Sequence, residues 1–182
     1  VSGLISMIHG VAAIDLKADQ TISGTGINLL ADGITVFACQ ILFSQDRSRE
    51  FKVGMLTDGL GFYPTFYIAI AVVLVSWFVL YKTPFGMHLR ACGEHPAAAD
   101  SVGINVRRVR YTGVLISGVL AGLAGGCVVL TQTIQFTSSL INGRGFIALA
   151  GVAFGRWTPW GVTGAALLFG GAQALAVLST NF

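Results

Sequence analysis

The sequence predicts an all-α bundle of membrane-crossing helices, and three observations carry that prediction. First, 54% of the 182 residues are hydrophobic and only 10% are charged, whereas a soluble domain is usually about 25% charged and needs that surface to stay in water. Second, residues 24–43, 64–81, 112–130 and 161–178 are apolar runs that reach or approach the ~20 residues needed to cross a ~30 Å hydrocarbon core as helix. Third, the basic residues are grouped between those runs, which suits control of membrane topology. The net charge of +3 comes with no nucleic-acid-binding motif, so no nucleic-acid partner is read and membrane lipid is the expected surrounding.

Taken in order, residues 1–14 read as the tail of a further span. No basic segment precedes them, so they do not read as a signal peptide. A chain that opens on Val1 inside an apolar run reads as the C-terminal part of a single membrane domain, 1–182, with earlier helices missing. The run 24–43 carries Asn28 and Asp32, four apart and therefore on one helix face. A carboxylate in a span is costly and usually faces a bundle interior or a water-filled cavity, which makes both residues candidates for a substrate path. A protonated Asp32, or one hydrogen-bonded to a neighbouring helix, is the alternative.

The run 64–81 leads into a polar segment, 82–111, that holds Lys82, Arg90, Arg107, Arg108 and Arg110. With this segment on the cytoplasmic side, 14–23 and 156–160 follow it there, bringing Lys17 and Arg156. Arg47, Arg49, Lys52 and Arg144 remain outside, and the inner set is the larger. Within the segment, GEHPAAADSVGI predicts a helix of two turns at most. Pro96 suits the first helical position, where its missing N–H would be unpaired anyway, and Gly103 suits the left-handed position just past the end. Glu94 stands before the start, where a carboxylate meets the positive end of the dipole. A helix so short is marginal alone, so it packs on its own bundle or on a partner. His88, Cys92 and His95 approach metal-ligand spacing, but Pro96 interrupts the helix at 95 and a fourth ligand is lacking, so no metal site is read.

In the run 112–130, Gly118, Gly122 and Gly126 recur every four residues, with Ala121 and Gly125 beside them. They make a smooth face for close helix packing, within one subunit or between two. Gly151 and Gly155 repeat the theme. Residues 143–155 are too short for an ordinary crossing and predict a broken or re-entrant helix, tolerated only where protein or a cavity surrounds it. Asn142, Arg144 and Phe146 flank that segment. An amide and an aromatic ring near a broken helix can hydrogen-bond and stack on a nucleobase or sugar, so Asn142 and Phe146 join the substrate-path candidates; Arg144 equally suits an interfacial anchor. Cys39, Cys92 and Cys127 are odd in number and far apart, which is not a disulfide framework.

The run TPFGMHLRACGEHPAAADSVGINVRRVRYTGVLISGVLAGLAGG resembles the cytoplasmic loop and following helix of membrane permease subunits of ABC importers, in the branched-chain amino acid, ribose and nucleoside branch. GRGFIALAGVAFGRWTPWGVTGAALLFG is similar to the later part of the nucleoside or simple-sugar type, and DQTISGTGINLLADGIT to the helix before the loop. The resemblance implies a permease subunit of an ATP-driven importer in a bacterial or archaeal plasma membrane. It implies as partners a cytoplasmic ATPase that binds the ATP and magnesium, a second permease subunit, identical or not, and an extracytoplasmic substrate-binding protein. It implies that Gly93, Glu94, Pro96, Ala98, Ala99, Asp100, Gly103 and Ile104 form a coupling helix that docks on the ATPase, with the arginines at 107, 108 and 110 holding the next helix at the inner face. Asn28 fits the family pattern; an acid at Asp32 departs from it.

Other classes find less support. No G-x-x-x-x-G-K-[ST] occurs, so the chain carries no ATP-binding loop, and no catalytic residue or cofactor of its own is read. An intramembrane enzyme using Asp32 would need a second reactive group facing it. A proton-coupled secondary carrier using Asp32 would show inverted repeats, and none is visible.

Overall fold

The structure, a computed structural model, describes residues 2–43, 64–132 and 143–179. In chain order it contains α1 (Ser2–Gly10), a π turn (Val11–Asp15), α2 (Gln20–Phe43), α3 (Pro64–Lys82), α4 (Pro84–Glu94), α5 (Pro96–Ser101), α6 (Val106–Gln132), α7 (Arg144–Phe154) and α8 (Pro159–Ser179). No strand occurs among the described residues. Among the described residues, α2, α3, α6 and α8 are the 4 helices long and apolar enough to cross a membrane.

Three of these begin earlier than their apolar runs do, α8 by only two residues. Asp19 accepts hydrogen bonds from the Thr21 N–H at 2.7 Å and the Ile22 N–H at 3.3 Å, and so caps α2 four residues ahead of the run 24–43. Asn105 does the same for α6 through the Arg108 N–H at 3.0 Å. Arg107, Arg108 and Arg110 therefore lie on the first turns of α6 rather than in the loop before it. Their long stems let a charged head reach water from a helix whose body is apolar.

The helices bury little against one another. Among the described residues, Cys39, Cys92 and Ala99 are the buried hydrophobic side chains, whereas Leu29, Phe37, Phe78 and Leu167 lie open on the long helices. Apolar surface of this extent is what lipid covers.

Close packing is confined to a few seams. Along α1 and α6 small residues meet: a β-carbon built on Gly118 would overlap Ser6, and one on Gly122 would overlap Ser2. Gly3 lies against Val119 and Gly10 against the Tyr111 ring. Gly126 points to nothing within 4 Å among the described residues, so the described contacts within this chain engage the smooth face of α6 at Gly118 and Gly122.

At the other end of the chain, α7 folds back on α8. Gly151 faces Phe169 and Ala165, and Phe154 meets Phe169 edge to face at 5.7 Å. The turn between them holds Gly155 against Gly161 and Val162 with no room for a β-carbon. Thr158 accepts from the Gly161 N–H and donates to the Gly155 carbonyl, starting α8 at Pro159. Arg156 and Trp157 both take left-handed backbone angles, φ 52° and 59°, to make the reversal. With 11 residues, α7 rises only ~16 Å, half of a crossing. Arg156 and the exposed Trp157 and Trp160 mark its far end as a membrane face.

Candidate functional site

The segment between α3 and α6 is closely built from local hydrogen bonds and short contacts. Thr83 ends α3 by donating to the Val79 carbonyl at 2.6 Å and begins α4 by accepting from the Gly86 N–H at 3.3 Å. Pro84 takes the first position of α4. Gly86 packs on the backbone of Val79 and Leu80, so α4 turns back at once. Arg90 lies over the Tyr81 ring at 4.8 Å, a cation–π contact between α4 and α3. Leu89 of α4 fits against Gly113 of α6.

Pro96 then breaks the path. Its ring disfavours helical angles at the residue before it, and His95 accordingly adopts φ −137°, ψ 83°. The His95 N–H still closes α4 on the Ala91 carbonyl at 3.0 Å, while its carbonyl opens α5 by accepting from the Ala99 N–H at 3.0 Å. Helix α5 has 6 residues and ends in a Schellman arrangement. The Gly103 N–H bonds the Asp100 carbonyl at 2.9 Å, and the Ile104 N–H bonds the Ala99 carbonyl at 3.1 Å, around Gly103 at φ 86°.

The candidate coupling residues do not all face outward. Gly93, Glu94, Pro96, Ala98, Asp100 and Gly103 are exposed, Ile104 is half-buried, and Ala99 is turned inward at 5% exposure. Ala99 therefore anchors α5 to its own chain and is not part of the exposed face. Cys92, at 1% exposure, is the corresponding anchor on α4. Val102, 79% exposed beside Gly103, adds an apolar residue to the outward face that sequence reading passed over. Glu94 is also the last residue of α4, so its favourable position ahead of α5 is offset by the negative end of the helix it closes.

The substrate-path candidates are dispersed. Asn28 and Asp32 are exposed on α2, Phe146 is exposed at the start of α7, and Asn142 lies outside the described residues. Among the described residues no group of three His, Cys, Asp or Glu side chains gathers as metal ligands would.

Two polar contacts between elements have no local sequence signal. His9 Nδ1 of α1 and Ser23 Oγ of α2 lie 3.0 Å apart. Asp15, at the end of the π turn, accepts from Arg107 at 2.8 Å and from the Tyr111 hydroxyl at 2.7 Å. The hydrogen bond from Arg107, then that from Tyr111, holds the Asp15 carboxyl below the ordinary carboxylate range against a smaller opposing effect of burial.

Lipid-facing spans, with a compact polar helical segment hung between two of them, define a polytopic membrane protein. The family described as "branched-chain amino acid transport system / permease component" matches residues 1–181. The chain is 46% identical to the guanosine ABC transporter permease protein NupQ of Bacillus subtilis, over 97% of this chain and 60% of that one. It is 40% identical to the nucleoside ABC transporter permease protein NupC of Lactococcus lactis, over 98% of this chain and 61% of that one. It is 32% identical to the putative glucose ABC transporter permease protein TsgC13 of Haloferax volcanii, over 97% of this chain and 58% of that one. The chain spans about three fifths of the length of these relatives. No solved structure matches it at a significant level. The chain belongs to this permease family.

Proposed function

We propose that the chain acts as the membrane-spanning permease subunit of an ATP-driven importer for nucleosides or related sugars. ATP and magnesium are bound by a separate cytoplasmic ATPase, and α5 is the element that meets it. The observation that carries this reading is the outward helix Pro96–Ser101, started at a proline, held to its own chain through Ala99 and ended by the hydrogen-bonded turn at Gly103. A short helix fixed at both ends transmits a push without fraying, and small exposed residues let it seat closely. The names of the two nucleoside relatives support the cargo class. A second permease subunit and an extracytoplasmic binding protein complete the proposed assembly, in a plasma membrane. Closure of the ATPases then moves α4–α6, and the spans expose a polar path, with Asn28, Asp32, Asn142 and Phe146 as its candidate lining, to alternate sides.

The test is co-purification of the full-length permease with its candidate ATPase subunit in detergent, compared with Glu94→Lys/Gly103→Val. Glu94→Lys alone, which leaves the Gly103 turn intact, separates lost contact from lost folding. Capture by the wild type and loss in both variants supports the reading. A well-folded wild type that captures no ATPase sinks it, and Asp32 then becomes the residue to examine as a proton site.

A further inference from the structure

We infer that Asp15 is a positioning residue that ties α1 and the start of α2 to the coupling segment, so that displacement of α5 enters the spans through it. The inference rests on the importer reading and adds a residue that neither motif nor spacing marks.

The geometry has three parts. The π turn Val11–Asp15 holds one residue more than an α turn, which rotates the residues after it by ~100° about the helix axis. Lys17 at φ 51° stops the helix there, and the Ala18 N–H returns to the Ala12 carbonyl at 3.0 Å. Asp15 is thereby brought against α6, where Arg107 and Tyr111 lie four apart on one face and both donate to its Oδ2. Arg107 is separated from Gly103, the end of the coupling turn, by three residues. On the other side of Asp15, Asp19 caps α2.

Magnitude decides what the contact is for. The Arg107–Asp15 pair has side-chain exposures of 67% and 29%, and ion pairs so open to water add little to stability. The seam of Gly118, Gly122 and Gly10 already holds α1 to α6. What the carboxylate adds is a fixed direction at the inner end of that seam, between the segment that is pushed and the helix beyond it. Its removal should therefore spare folding and impair transmission.

The experiment uses the full-length permease assembled with its ATPase, permease partner and binding protein in proteoliposomes, with radiolabelled guanosine as the probe. ATP hydrolysis and uptake are measured for wild type, Asp15→Asn, Arg107→Asp and the exchange Asp15→Arg/Arg107→Asp. The expected result is hydrolysis within about twofold of wild type, uptake lowered about tenfold in both single variants, and substantial recovery in the exchange, a change of the size that coupling energies produce. A merely structural role would lower hydrolysis, uptake and melting temperature together and overturns the inference. Normal uptake by Asp15→Asn, or an exchange no better than its parents, also overturns it while leaving the importer reading intact. Absence of ATP-driven uptake in the wild-type assembly, with guanosine, other nucleosides and simple sugars all supplied, overturns the importer reading and this inference with it.

Discussion

Gly118 of α6 approaches Ser6 of α1 so closely that a β-carbon on the glycine would overlap both the Cβ and the Oγ of the serine. Ser6 is drawn in by its own hydrogen bond to the Gly3 carbonyl at 2.8 Å, which satisfies its hydroxyl within α1. The seam thus depends on a missing side chain on one helix and a small, self-satisfied one on the other. That is the way helices associate where lipid removes the hydrophobic drive between them.

Gly118→Leu should separate α1 from α6 and destabilise the protein by ~1–3 kcal/mol, the usual cost of overpacking a fitted contact. Gly126→Leu, which meets nothing within 4 Å among the described residues, should change stability by no more than ~0.5 kcal/mol. Unfolding of the two variants in detergent, followed by near-ultraviolet dichroism, makes the comparison. Equal destabilisation would show that the face is used along its whole length.

Acid should loosen the start of α2. The hydrogen bonds from the Thr21 and then the Ile22 N–H hold the Asp19 carboxyl below its ordinary value. Because the folded value is the lower one, the stabilisation is complete above the unfolded carboxylate value and is lost as pH falls through the folded one. Asp19→Asn keeps an acceptor but cannot titrate, so its melting temperature should fall less steeply than wild type over that acid range. Parallel melting curves for the two proteins would contradict the capping role.

Cys92 should be chemically silent in the folded protein. At 1% exposure its thiol is shielded from water and reagent, and buried thiols are unreactive. A variant retaining Cys92 alone should resist a water-soluble maleimide until denaturant opens the segment 82–111. Labelling before the loss of helical dichroism would mean that α4 and α5 open on their own.

The spans were legible because twenty apolar residues in a row have one stable outcome in lipid, and composition alone reports them. Pro96 and Gly103 were equally legible, since the backbone restrictions of proline and the freedom of glycine act locally. The start of α6 was not, because Arg107, Arg108 and Arg110 look like loop residues, whereas the Asn105 cap begins the helix ahead of them. Ala99 shares its type with the exposed Ala98, and only burial separates the two. Asp15 finds Arg107 across 92 positions of sequence, and its direction depends on a single extra residue in the turn before it, which no periodicity records.

The half-length of α7 also bears on how the chain is made. A segment of 11 residues is too short to be held in the bilayer as an independent crossing when it leaves the ribosome. Its first residue, Arg144, carries a charge that would further oppose its entry alone. Only α8, synthesised after it, is long enough to be retained. The two should therefore integrate as one hairpin, closed by the reversal at Gly155–Thr158. On that order of events, the left-handed angles at Arg156 and Trp157 are adopted during biogenesis, and α7 reaches its place only together with α8.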